Sequence, residues 1–239
     1  MIKQALWIGI LASLAFLVAR ECSSNYFASR ADSALVAPGE TDTQGGPSVL
    51  GGQTPIPDLT AEEITILEAI CETEGLTGME ACRDRLWELG MHGLMRLSDD
   101  DLVRRAELLH SAMLKMPPEK CAHAAHGVIE GSEFQELFDL LTEGQQVELA
   151  TIYLRAAVRH DQDSPRARSV DEGRFGVVLE AIDDHLSATE AVRLWDSIEE
   201  PERSTSEDLC WSGLTLYSMT WKLPSPHGHT LARAFSAAP

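Results

Sequence analysis

Histidines placed beside sulfur or carboxylate are the residues of this chain whose types could do chemistry. Cys121, His123 and His126 (CAHAAH) combine the donors that zinc or copper prefers. On a helix His123 and His126 share a face, whereas Cys121 lies two residues from His123 and points nearly opposite. No second half follows at ligand spacing, so two surface histidines are the better reading. Glu107-Leu108-Leu109-His110 has the Glu-x-x-His spacing of di-iron bundles, which need two such elements and two further glutamates. One such element stands here. His227-Gly228-His229 falls in the tail, and a flexible pair does not make a site. His160-Asp161 and Asp183-Asp184-His185 set carboxylates next to histidine in sequence, but helix neighbours do not face each other. A nucleophile elbow, a phosphate-binding glycine loop and a His-Glu-x-x-His motif are all absent from the sequence. The expectation is no catalytic, cofactor-binding or metal residue, and no cofactor.

The cysteines have a different use. Beyond Cys22 there are four, Cys71, Cys82, Cys121 and Cys210, and an even count in an exported chain reads as two disulfides with three connectivities. Cys71 sits late in one expected helix and Cys82 early in the next, across a turn at Gly75 to Gly78. In an antiparallel hairpin those positions face each other. Cys71–Cys82 is therefore the first choice, which leaves Cys121–Cys210.

Export itself is read from the N-terminus. Met1-Ile2-Lys3-Gln4 leads into the apolar run Ala5 to Ala19 and a polar exit at Arg20. As a helix that run is about 22 Å long against roughly 30 Å of bilayer hydrocarbon, short for a permanent anchor. Residues 1–22 are read as a signal peptide or, second, a single-span anchor. Residues 23–57, with Pro38-Gly39, Gly45-Gly46-Pro47, Gly51-Gly52 and Pro55-Ile56-Pro57, are expected to be a disordered linker, because their few apolar residues have no period. The product is expected in the periplasm or outside the cell, or tethered by residues 5–19 to an inner membrane.

The elements that must position these side chains are helical. Eight Ser or Thr residues are each followed three residues later by Glu, Gln or Asp, the pattern of a capped helix start. They are Thr60, Thr77, Ser98, Ser132, Thr142, Ser169, Ser187 and Ser204. Apolar stripes agree: Leu102, Ala106, Leu109 and Met113; Phe175, Val178, Leu179, Ile182 and Leu186; Ala191, Leu194, Trp195 and Ile198. The helix after Thr142 is apolar on two sides, as a central helix would be. These signals predict an all-α bundle of eight to nine short helices over residues 58–223. A break at Asp161 to Arg168 could divide it into two subdomains, and residues 224–239 are expected to form a loosely held tail.

Charge bears on function. The chain has 19 Lys plus Arg against 38 Asp plus Glu, a net charge of −19, and residues 58–239 hold 16 against 34. A field of that sign repels nucleic acid and anionic lipid and would draw in a basic partner, while a well-solvated surface is the plainer reading of the same charge. Contact with a membrane is expected only through the N-terminal segment, if it is not cleaved. Of the aromatics on the last expected helix, Cys210, Leu214, Tyr217 and Trp221 fit the core stripe, and Trp211 falls outside it as a candidate partner-binding residue. The functional expectation is an exported protein acting by protein binding or scaffolding. The alternatives are an acidic inhibitor or immunity-type protein for a basic toxin or hydrolase, and an envelope enzyme.

Overall fold

A computed structural model describes residues 59–73, 75–76, 82–125, 131–170 and 172–237. The signal and linker readings lie outside these residues, as do Cys22, His126 and the start expected at Thr77. The described residues belong to one compact unit. Among them are ten α-helices: α1 (Ala61–Thr73), α2 (Arg83–Gly93), α3 (Asp99–Met113), α4 (Pro118–Ala125), α5 (Gly131–Asp139), α6 (Glu143–Asp161), α7 (Glu172–His185), α8 (Ala188–Glu199), α9 (Ser206–Lys222) and α10 (His227–Ala234). Single 3-10 turns follow α2 and α8, at Leu94–Arg96 and Pro201–Arg203. The fold is all-α.

Most starts form as their chemistry dictates. Thr142 and Ser187 make reciprocal capping boxes with Gln145 and Glu190. Thr60 does the same with Glu63. Ser98 accepts from the Asp101 amide, and three aspartates follow it in the first turn of α3, where negative charge complements the helix dipole. The start expected at Ser204 is displaced by one residue. Thr205 caps α9 by accepting from the Asp208 amide, because the Ser204 hydroxyl is spent on the Glu200 carbonyl of the preceding turn. α5 begins at Gly131, so Ser132 lies inside it, and α7 begins at Glu172, three residues past Ser169.

Helix α6 is central, as its two apolar sides require. Leu149, Ile152, Tyr153 and Ala156 join a core with Leu102, Ala106, Leu109 and Met113 of α3 and Tyr217 of α9. Its other side, Leu154, Ala157 and Val158, joins Leu67 and Ile70 of α1 and Leu86 and Leu89 of α2. Two glycines let α2 lie against α6 backbone to backbone. A Cβ on Gly93 would stand 1.9 Å from the Ala156 carbonyl oxygen, and one on Gly90 2.6 Å from that of Tyr153. Outside the helices' axes, Arg155 of α6 reaches Asp101 of α3 at 2.9 Å and Glu63 of α1 at 3.7 Å.

Two expectations change. The tail is not loosely held. Residues 227–234 form α10, with Leu231, Ala232 and Arg233 buried, and Phe235 stacks on Tyr217 at 4.6 Å. Gly228 permits this approach, since a Cβ there would meet the Thr220 carbonyl oxygen at 2.3 Å. A polar, proline-rich stretch hid a helix whose apolar face is only two or three residues wide. Nor does the segment after α6 divide the body. It is fastened to the turn after α2: Arg96 bonds Asp163 at 2.6 Å and the Pro165 carbonyl at 2.9 Å, and the Arg168 amide and side chain reach the Met95 and Leu97 carbonyls.

Candidate functional site

Both sulfur pairs are disulfides. Cys71 and Cys82 join α1 to the start of α2 with Cα atoms 5.5 Å apart, and Cys121 and Cys210 join α4 to α9 at 5.1 Å. Cys121 is thereby removed from any metal set with His123, which is itself exposed. Among the described residues no group of three or more His, Cys, Asp or Glu could hold a metal ion. Two disulfides suit an oxidising compartment. Among the same residues no helix is long and apolar enough to cross a membrane.

The remaining histidines are spread over the fold. His160 faces His92 of α2, ring centroids 5.8 Å apart, and the buried Nδ1 of His160 has no hydrogen-bond partner. Burial, then the charges of His92, Arg96 and Arg85, push the His160 imidazolium below its usual range. Two guanidinium groups beside the pair oppose a cation there. His110 is half-buried on the edge of the α3 stripe and meets Trp221 edge-on at 5.1 Å. Desolvation, followed by the nearby Lys222 charge, lowers its pKa. Glu107 is paired with Arg104 at 2.6 Å, so Glu107 and His110 do not act together.

Where side chains do converge is a site the sequence did not announce. A shallow cleft of about 370 Å³ opens between α3, the C-terminal end of α9, and α10. α3 contributes Asp100, Val103, Arg104 and Glu107, one helical face by spacing. α9 and the residue after it contribute Thr220, Trp221 and Leu223, and α10 contributes His229. Arg104 is consumed by its own side of the cleft. Its Nε and Nη2 bond the Glu148 carboxylate at 2.6 and 2.7 Å, besides Glu107, which holds the guanidinium pKa well above its ordinary value. Asp100 is different. Its carboxylate is 96% exposed and lies 4.0 Å from His229 Nε2, too far for a hydrogen bond.

Beside the cleft, Asp99 is the hub that binds the tail to the body. It accepts from buried Arg233, and it lies 3.8 Å from Arg168 and 3.7 Å from His229 Nδ1. Ser225 Oγ lies 3.3 Å from the same Nδ1. A serine–histidine–aspartate relay needs serine and carboxylate on opposite ring nitrogens. Here Ser225 and Asp99 both address Nδ1, and Asp100, 4.0 Å from Nε2, is too far to accept a hydrogen bond, so the group fastens α10 rather than activating a nucleophile.

Trp211, singled out above, is half-buried, and the Arg193 guanidinium lies over its ring at 4.3 Å while pairing with Asp208 at 2.7 Å. A residue of this chain therefore covers one of its faces. The rest of the surface charge is uneven. Residues 172–208 carry eleven carboxylates and three arginines. Glu180, Asp184, Asp196, Glu199, Glu202 and Glu207 there are exposed, and so are the apolar side chains of Val177 and Val192.

Fold and site together define a small, acidic, disulfide-bonded helical domain with a shallow cleft between α3, α9 and α10. Compared with protein-family models, curated proteins and solved structures, the chain matches none.

Proposed function

We propose that this is an exported protein that works by holding a basic partner protein. The observation that supports this reading is how the charges are divided. Arg83, Arg85, Arg96, Arg104, Lys120, Arg155, Arg168, Arg193, Arg203 and Arg233 each lie against a carboxylate of the same chain. These basic residues are taken up in pairs within the chain, many of them at its surface, and the carboxylates outnumber them. A field built that way accelerates encounter with a cationic surface and turns away anionic ones. The disulfides support the exported setting, and the inhibitor or immunity-type role is the form of this function that a basic toxin or hydrolase would call for.

The test is capture on the immobilised, oxidised protein from the exported fraction of the cells that make it. A salt gradient from 50 to 500 mM then elutes what is bound. The expected result is a basic protein whose retention fades as salt rises and which rebinds when purified. An acidic or neutral partner held equally well at both ends of the gradient would overturn the proposal.

A further inference from the structure

We infer that the cleft between α3, α9 and α10 receives an arginine or lysine side chain of the basic partner, an assignment that rests on the function just proposed. Three separate features of the cleft favour a cation on an aliphatic stem. The first is the Trp221 ring in its wall, whose π-face attracts a guanidinium or ammonium group. The second is Asp100, an exposed carboxylate of the same lining without a hydrogen-bonded partner.

The third is the end of α9. Its last carbonyls carry the negative end of the helix dipole. Val103 and Leu223 supply apolar wall for the methylenes of the incoming side chain.

The local cations do not cancel this. Arg104 is shared between two carboxylates, and Arg233 and Arg168 are turned to Asp99. Lys222, next to Trp221 in sequence, is exposed and does not line the cleft. An anion entering here would meet Asp100, Glu107 and the helix end together. A cation meets them as partners.

The experiment uses the oxidised protein and a neutral-capped model peptide carrying four arginines spaced by alanines, followed by calorimetry and by the indole N–H resonance of Trp221. That resonance is assigned as the signal missing from Trp221→Phe. The peptide should move it, and added salt should reverse the movement. Asp100→Asn should weaken binding about two- to five-fold, and Trp221→Ala by a similar factor. Asp184→Asn, an equal loss of charge at an exposed position of α7, should weaken it less than either. Because Asp100 is almost fully exposed, its substitution leaves the fold intact whatever happens to Trp221→Ala.

An unmoved Trp221 signal at saturation would overturn the assignment. So would an Asp100→Asn effect no larger than that of Asp184→Asn. The two readings fail separately: a basic partner captured equally by wild type and Asp100→Asn leaves the function standing and removes the cleft from it. Absence of any basic partner, with the peptide still seated at Trp221, removes the function instead.

Discussion

The two disulfides close loops of very different length, and this should be visible as two different losses of stability. Cys71 and Cys82 are 11 residues apart and Cys121 and Cys210 are 89 apart. In the chain-entropy account, a crosslink restricts the unfolded chain in proportion to the logarithm of its loop. The short loop gives about 2.8 kcal/mol at 25 °C and the long one about 4.6 kcal/mol, a difference of about 1.8 kcal/mol. At roughly 3 °C per kcal/mol for a body of this size, Cys71→Ala with Cys82→Ala should lower Tm by about 8 °C. Cys121→Ala with Cys210→Ala should lower it by about 14 °C. Each pair of substitutions removes two sulfur atoms from sites largely closed to water, so the packing losses are alike and the order reflects the loops. Calorimetric melting of wild type and both double variants, at one pH and without reductant, measures the order directly. Equal shifts, or a larger loss from the Cys71–Cys82 pair, would refute the reasoning.

Gly93→Ala should cost about 3 kcal/mol, because its Cβ would stand 1.9 Å from the Ala156 carbonyl oxygen and α2 would have to leave α6. Gly144→Ala, in the first turn of α6 with open space around it, should be neutral or stabilise by up to about 1 kcal/mol. Urea midpoints compare the two, and a Gly93→Ala protein as stable as Gly144→Ala would show that the two backbones do not touch. Stability should also fall on mild acidification. His110 and His160 have folded-state pKa values below the unfolded one, so the unfolded chain binds their protons first. Their contribution is complete above about pH 6.5 and is lost as pH falls below it. The urea midpoint should decline from pH 7 to pH 5, less steeply in His110→Gln with His160→Gln. A midpoint that rises over that interval, or a slope the double variant leaves unchanged, would contradict the assignment.

Local chemistry determined a great deal here. Hydroxyl caps followed by acids, and apolar residues at helical spacing, are interactions within four residues, so the all-α class and most helix starts could be read directly from the chain. The pairing of Cys71 with Cys82 was legible for the same reason, since one short turn separates them. Cys121–Cys210 then followed by elimination. Tertiary structure decided what depends on distant residues. Whether Ser204 or Thr205 capped α9 turned on the Glu200 carbonyl behind it. Residues 227–234 became a helix only because Tyr217, Asp99 and the bare Cα of Gly228 gave them something to dock on. The cleft gathers Asp100 and Trp221, residues more than a hundred positions apart, into one lining, and no periodicity within either helix contains that grouping. Hydrogen bonds and side-chain spacing along one helix are fixed by backbone geometry, whereas which helix faces which is settled by the packing of the whole core.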